Sequence, residues 1–173
     1  MEEVTWREQY RSRCLSSDTL EVKVAALKAE GKRIVTLNGC FDLLHVGHLH
    51  MFYEASKRGD VLIVALNSDT SIRGYKGPDR PITPLRERMQ MVSALRFVDY
   101  VTFFEEATPI AILEKIKPDV HVNGVEYGKE CIEAETVKRH GGRIELISFI
   151  EGKSTTNTIA KLRDQGVEHA TSS

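Results

Sequence analysis

The feature that most constrains the fold is the run Val61-Leu-Ile-Val-Ala-Leu66, six apolar residues in a row. A strand with one face in solvent alternates apolar and polar residues, so an unbroken run predicts a strand that is buried on both faces. Such strands occur in parallel sheets with helices above and below, and the run therefore favours an α/β fold.

Four further short apolar segments alternate with helical patterns along the chain. The predicted strands are residues 33–37, 61–66, 100–103, 120–122 and 144–147. The predicted helices are about 18–30, 48–58, 83–97, 108–116, 131–140 and 154–165, and 67–82 is expected to be a loop with one helical turn. This alternation predicts a Rossmann-like, doubly wound sheet of about five mostly parallel strands with helices on both faces.

The domain boundaries follow from where this alternation begins and ends. We expect an N-terminal extension with one helix at 1–30, one α/β domain at 31–166 and a flexible tail at 167–173. The first residues are charged, unlike a signal peptide, and no apolar run approaches the ~18 residues of a membrane-spanning helix. The three cysteines are widely spaced, which predicts no disulfide framework. We therefore expect a cytoplasmic protein without a membrane partner.

Net charge limits the partners that the surface can bind. The chain has 24 Lys+Arg and 25 Asp+Glu, a formal charge of −1, and only 7% aromatic residues. A surface that binds nucleic acid needs clustered positive charge and stacking rings, so we expect no nucleic-acid partner. A local site for a small anion is compatible with this balance.

The strongest candidate for chemistry follows the first predicted strand. The segment Asn38-Gly-Cys-Phe-Asp-Leu-Leu-His45-Val-Gly47-His48 places two histidines around Gly47 at the start of a predicted helix. Unpaired amides and the dipole at a helix N-terminus attract phosphate, and Gly47 has no side chain to keep a phosphate away. Two histidines three residues apart can also converge on one oxyanion.

Two other interpretations of these histidines stay open at this point. Each histidine can be a structural residue, or the two can bind a metal together with His50. The metal site is the weaker interpretation, because no cysteine or carboxylate in this segment supplies a further ligand at metal-binding spacing. We expect His50 to be structural. Neither phosphate-binding pattern, GxxxxGK[ST] or GxGxxG after the first strand, occurs.

These residues resemble the signature of the nucleotidyltransferases with an HxGH motif, the cytidylyltransferase-like superfamily. The resemblance covers about residues 33–163 and continues through segments 60–69, 76–82, 88–89, 94–95, 98–99 and 151–156. Within the superfamily, the chain is most similar to the adenylyltransferase part of bifunctional heptose kinase/adenylyltransferases, and next to glycerol-3-phosphate cytidylyltransferase.

The resemblance implies a Mg²⁺-dependent adenylyltransferase. Its implied substrates are ATP, favoured over CTP, and a small phosphorylated acceptor, D-glycero-β-D-manno-heptose 1-phosphate, and the products are pyrophosphate and ADP-heptose for lipopolysaccharide. The alternative is a cytidylyltransferase that acts on glycerol 3-phosphate or a related polyol or alcohol phosphate. The resemblance also implies a homodimer and no metal site in the protein, because the triphosphate carries the Mg²⁺. A nucleotide-binding sensor without catalysis is a further hypothesis.

The resemblance also assigns roles to individual residues. The implied catalytic residues are His45, His48 and Lys76. The implied nucleotide-binding residues are Cys40, Phe41, Gly47, His48, Arg88, Asn123, Gly124, Ser154, Thr155 and Thr156. The implied acceptor-binding residues are Asp42, Lys76 and Glu126. Some of these residues also have a structural interpretation that does not depend on the resemblance. Lys76 can be a solvated loop residue, and Arg88 can be one charge on an amphipathic helix. Ser154 can be a plain helix cap.

Two departures from the family pattern lie in the loops after the fourth and fifth predicted strands. Heptose-type enzymes commonly have a Lys-Gly-Gly-Asp-Tyr-like run where this chain has Asn123-Gly-Val-Glu126-Tyr127. We therefore expect this loop to recognise its base or acceptor differently. The cytidylyltransferases carry an arginine before Gly152, and this chain has Phe149-Ile-Glu151 there, which favours the adenylyl branch.

Overall fold

A computed structural model describes residues 5–148, and in it strands and helices alternate along the chain. The strands are β1 (Ile34–Gly39), β2 (Val61–Asn67), β3 (Tyr100–Phe104), β4 (Val120–Gly124) and β5 (Arg143–Ile147). The helices are α1 (Trp6–Arg13), α2 (Ser17–Ala29), α3 (Val46–Ser56), α4 (Asp69–Lys76), α5 (Leu85–Ser93), α6 (Ile110–Ile116) and α7 (Ala134–Arg139), with a 3₁₀ turn at Val125–Tyr127. The helix predicted at 154–165 lies outside the described residues.

The five strands form one sheet in the order β3-β2-β1-β4-β5, and every described pair is parallel. This confirms the predicted Rossmann-like, doubly wound fold. Strand β1 is hydrogen-bonded to β2 on one side and to β4 on the other. The chain winds outward from β1 to β3 and then returns to add β4 and β5, so a topological switch point lies between β1 and β4. In such sheets a crevice for ligands forms at the carboxyl ends of the strands beside that point.

Alternating strand residues enter two separate cores, one on each face of the sheet. Val35 and Leu37 pack with residues of α3 and α5 on one face. Ile34 packs with residues of α2, α6 and α7 on the other. All seven residues of β2 are buried, as the apolar run predicts. Both faces of the sheet are therefore covered, and its carboxyl edge is left to carry the site.

The N-terminal segment contains two helices, so the prediction of one helix in residues 1–30 was wrong. Thr5 caps α1 in a capping box with Glu8, but α1 has no buried residue and so lacks the apolar period by which a helix is recognised. Helix α2 begins earlier than expected, because Ser16 and Thr19 form its capping box. Leu20 of α2 is buried in the same core cluster as residues of α6.

The segment after β2 is also more regular than predicted. Residues 67–82 were expected to be a loop with one helical turn, but α4 occupies eight of them. Ser68 caps α4 by accepting a hydrogen bond from the Ser71 amide, and Gly77, with φ of 92°, ends it. Gly74 lies inside α4, where the helix tolerates it at a modest cost. No helix within residues 5–148 combines the length and apolar character that crossing a membrane requires.

We expect Leu20→Ala to lower the free energy of unfolding by about 2–5 kcal/mol, because the change leaves a cavity in a closed core. The side chain of Leu20 is fully buried between α2 and the sheet. Val22→Ala on the exposed face of α2 is the control and should change stability by less than about 0.5 kcal/mol. Urea denaturation measures both, and equal small effects would show that α2 does not contribute to the core.

Candidate active site

A cleft of about 790 Å³ opens at the carboxyl edge of the sheet. The cleft is lined by an asparagine at or next to the end of each of three neighbouring strands. These residues are Asn38 of β1, Asn67 of β2 and Asn123 of β4. Parallel strands bring their carboxyl ends to one edge, so polar residues that are far apart in sequence meet there. The cleft therefore lies where the fold predicts a ligand site.

The two histidines of the predicted motif are stacked at the start of α3. His45 is the N-cap residue of α3, and its ring centroid is 3.8 Å from that of His48, with an angle of 22° between the planes. His48 lines the cleft. The edge of the Phe41 ring packs against the His48 ring at 5.3 Å between centroids. His48 is thus held between two aromatic rings, and Gly47 is buried in the first turn of α3.

The pKa of His48 is lowered from its ordinary value to about 4. Burial is the largest cause, and the charges of His45 and Lys76 add to it. Its Nδ1 is buried and has no hydrogen-bond partner within the described part of the chain. At neutral pH the ring is therefore uncharged, and a bound anion would favour its protonation.

Lys76 is the last residue of α4 and lines the same cleft. Its Nζ lies 5.8 Å from the centroid of the Tyr75 ring. Its charge contributes to the lowered pKa of His48, so the two groups lie within electrostatic reach of each other. The structure thus brings His45, His48 and Lys76 together, although their role in catalysis stays a prediction.

Asp42 lines the cleft but directs its carboxylate to the protein. It accepts hydrogen bonds from Arg80 Nε at 2.7 Å and from the amides of Ile82 and Thr83 at 3.1 and 2.8 Å. Burial alone would raise the pKa of Asp42, but these hydrogen bonds hold it below its usual value. Asp42 therefore fixes the loop after β1 to the segment after α4, and its contact with an acceptor stays a prediction.

Arg88 is completely buried and ties together three segments around the cleft. Its guanidinium donates to the carbonyl oxygens of Cys40, Asn67 and Thr83 at 2.6–2.9 Å. It also donates to Asp69 Oδ1 at 2.7 Å. These bonds use four of its five N–H donors. The structure thus gives Arg88 a positioning role, while its predicted contact with nucleotide phosphates stays a prediction.

The turn after β1 is built by close contacts among Gly39, Cys40 and Phe41. A Cβ on Gly39 would come within 2.9 Å of the Phe41 ring, so this position needs glycine. Phe41 has φ of 47°, in the left-handed region that non-glycine residues rarely adopt. Cys40 Sγ lies 2.6 Å from the hydroxyl of Tyr75. Cys40 and Phe41 both line the cleft.

Of the remaining predicted residues, some line the cleft and others do not. Asn123 and Gly124 line the cleft. Glu126 lies exposed in the 3₁₀ turn, and within residues 5–148 the cleft lining includes none of His45, Gly47, Arg88 and Glu126. Ser154, Thr155 and Thr156 fall outside the described residues. No group of three His, Cys, Asp or Glu in the described segment is placed to hold a metal ion.

Most of the other residues that line the cleft were not predicted from the sequence, and Tyr75 and Glu133 are two of them. Tyr75 lay in the segment expected to be a loop. Glu133 lay inside the helix predicted at 131–140, whereas α7 begins at Ala134 and Glu133 is its N-cap residue. Glu133 accepts a hydrogen bond from Asn123 Nδ2 at 3.2 Å. A carboxylate near the start of a helix that follows a strand end is the signal that would have indicated it.

Comparison with known proteins finds the family model described as cytidylyltransferase-like over residues 36–159. Bifunctional protein HldE of Geotalea uraniireducens (strain Rf4) is 46% identical over 152 residues, 87% of this chain and 31% of that protein. Bifunctional protein HldE of Geobacter sulfurreducens (strain ATCC 51573 / DSM 12127 / PCA) is 47% identical over 146 residues, 84% and 30% of the two chains. The chain thus spans about a third of the length of these curated relatives.

Two solved structures share the fold. The lipopolysaccharide core biosynthesis protein from Thermoplasma volcanium GSS1 matches with a TM-score of 0.57 and 28% identity, over 71% of this chain and 100% of that chain. Pantoate-beta-alanine ligase from Francisella tularensis, complexed with beta-gamma ATP and beta-alanine, matches with a TM-score of 0.57 and 16% identity. The match covers 79% of this chain and 66% of that chain. The latter likeness concerns the fold alone.

We expect the His48 ring to titrate near pH 4 in the free protein, and NMR of the histidine rings measures this. The unfolded chain ionises its histidines near pH 6.5 and so takes up the proton first. The stability that neutral His48 contributes is therefore present above about pH 6.5 and is lost as the pH falls towards 4. Adding tripolyphosphate should raise the midpoint. A midpoint near 6.5 in the free protein would contradict the buried, cation-flanked environment.

We expect Arg88→Met to lower the free energy of unfolding by about 3–5 kcal/mol, because it leaves buried carbonyl oxygens and Asp69 without their donor. The neighbouring Arg86 is exposed, so Arg86→Met should change stability by less than about 0.5 kcal/mol. Chemical denaturation of both variants without nucleotide tests the positioning role. An unchanged stability in Arg88→Met would show that these hydrogen bonds do not hold the loops.

Proposed function

Because this chain belongs to the cytidylyltransferase-like family of nucleotidyltransferases, as its motifs predict, we propose that it transfers AMP from ATP to a heptose 1-phosphate. The proposed acceptor is D-glycero-β-D-manno-heptose 1-phosphate, and the products are ADP-heptose and pyrophosphate. Two findings support this branch: similarity to the bifunctional HldE proteins, and similarity to a lipopolysaccharide core biosynthesis protein. Only about a third of each HldE protein is matched, so the substrates belong to the proposal.

The observation that carries the proposal is the grouping of His48 and Lys76 in one cleft at the start of α3. A triphosphate needs positive charge and N–H donors from several directions. Lys76 supplies a positive charge, and the start of α3 supplies the positive end of its dipole. His48 supplies a ring nitrogen that can donate a hydrogen bond.

The reaction requires little covalent chemistry from the protein. An oxygen of the acceptor phosphate forms a bond to the α-phosphorus of ATP. The bond from that phosphorus to the bridging oxygen breaks, and its electron pair leaves with pyrophosphate. The chain's residues position the two phosphates in line and stabilise the charge that develops on their oxygens. His48 is suited to this task because negative charge nearby raises its pKa, so the ring takes up a proton and donates a hydrogen bond as negative charge accumulates.

In this proposal Mg²⁺ enters as the complex of ATP. The described residues include no group of three metal ligands, and both Asp42 carboxylate oxygens accept hydrogen bonds from the protein. Phosphate oxygens, which Mg²⁺ prefers, would supply ligands. When bound, Mg²⁺ neutralises charge on the triphosphate and on the leaving pyrophosphate. Within the described residues, Lys76 and His48 would contact the phosphate oxygens on the protein side.

We expect His48→Ala to lower the rate of pyrophosphate release by about 10²–10³-fold, because it removes one donor to the charged phosphates. His50→Ala is the matched control: it changes the same residue type on the same helix, outside the described cleft lining, and should keep the wild-type rate. An undiminished rate in His48→Ala would overturn the proposed role.

The substrate assignment is tested by the same assay with Mg²⁺, ATP or CTP, and a panel of sugar and polyol phosphates. The proposal expects the highest kcat/KM for ATP with heptose 1-phosphate. A preference for CTP with glycerol 3-phosphate would support the cytidylyltransferase alternative. No pyrophosphate with any pair would support a binding module without catalysis.

A further inference from the structure

The cleft has two ends with different chemistry. One end, after β1 and α4, carries His48 and Lys76 and suits phosphate. The other end, after β4, carries Asn123 and the carboxylate of Glu133 and would repel phosphate. Strands β1 and β4 are hydrogen-bonded neighbours, so the two ends lie beside each other. A ligand bound through its phosphates at the first end therefore extends an uncharged part towards the second.

Glu133 is a buried carboxylate, with only 6% of its surface exposed. Asn123 Nδ2 donates to its Oε2, and the Cys131 thiol also lies within hydrogen-bonding reach. The buried ring of His121 lies within electrostatic reach of Glu133, but in the described part of the chain no lysine, arginine or histidine forms an ion pair with this carboxylate. Two carboxylate oxygens can accept about four hydrogen bonds, and a buried charge is costly unless donors satisfy it. Glu133 therefore offers acceptor sites to a ligand that carries N–H or O–H groups.

Apolar side chains flank this carboxylate. Tyr127 and Ile132 both line the cleft and are 63% and 61% exposed, so they offer apolar surface to a ligand. A flat heterocycle satisfies both features, because its faces need apolar contact and its edge presents N–H groups. The opposite side of the cleft, near α4, is lined by Thr70, Ser71, Glu105 and Thr108, which suits a hydroxyl-rich molecule.

We propose that Asn123, Tyr127, Ile132 and Glu133 form the base-binding end of the cleft, and that Glu133 selects the base. This inference rests on the proposed function, because it takes the phosphate end as occupied by a nucleoside triphosphate. Glu133 accepts a hydrogen bond from the exocyclic amino group of adenine, or from that of cytosine. Hypoxanthine, guanine and uracil present a carbonyl oxygen at the corresponding position and carry their N–H on the adjacent ring nitrogen, so the carboxylate loses its donor at that position. Glu133 is thus a specificity-determining residue that favours amino-bearing bases.

The test compares nucleotides in which an oxo group replaces the amino group and the adjacent ring nitrogen gains a hydrogen. Calorimetric titration of the full chain with ATP and ITP, and with CTP and UTP, measures the preference for an amino over an oxo group. The wild-type protein should bind the amino member of at least one pair about 10- to 100-fold more tightly, the range expected for a hydrogen bond to a buried charge. Glu133→Gln should reduce that preference to about threefold or less, because an amide can accept from an amino group or donate to an oxo group.

Glu135→Gln is the control for the substitution. It makes the same change two residues along, at an exposed position of α7, and should keep the wild-type preference. Tripolyphosphate should bind wild type and Glu133→Gln equally, which shows that the variant keeps its fold and its phosphate end. If Glu133→Gln does not fold, a preference below about threefold in both nucleotide pairs of the wild-type protein still overturns the inference.

Three results would overturn the inference while leaving the proposed function intact. The first is a preference for the amino-bearing nucleotide below about threefold in both pairs. The second is a preference that stays unchanged in a folded Glu133→Gln. The third is that GTP binds as tightly as ATP and CTP. The failure of the proposed function looks different. In that case neither tripolyphosphate nor any nucleotide binds the wild-type protein, and the inference falls with it.

Discussion

The parallel direction of the described strands is the constraint on which the rest of this structure depends. Tight turns cannot join parallel strands, so each connection crosses a face of the sheet, usually as a helix. Those helices bury both faces in two separate cores. All carboxyl ends consequently lie at one edge, and the polar residues that follow β1, β2 and β4 line one cleft.

Polar groups around this cleft divide into those that hold the protein and those that face the ligand. Arg88 and Asp42 are buried and bonded to backbone atoms of several loops, so they keep the walls of the cleft in place. His48 and Lys76 line the open space of the cleft, and Glu133 keeps acceptor capacity there. This division explains how a chain with a formal charge of −1 can hold an anion. Local arrangement, rather than the total charge, sets the field in the cleft.

The agreement between sequence and structure is best where the signal is local. The apolar run of β2 predicts a strand buried on both faces, because burial on both sides excludes polar residues at every position. The segment from Asn38 to His48 likewise marks the start of α3 and places His48 in the cleft. By contrast, α1 buries no residue, and α4 has eight residues and contains a glycine, so both give a weak signal for a helix in the sequence.

The sequence by itself determined the layered fold, the edge of the sheet that carries the site and the place of His48 in the cleft. Only the tertiary structure decided what the other charged residues do. Arg88 bonds to the Cys40 carbonyl 48 residues away, and Glu133, at the start of α7, bonds to Asn123 near the end of β4. The physical reason is that periodicity reports how a segment meets water, whereas the role of a buried charge depends on partners that folding brings from distant parts of the chain.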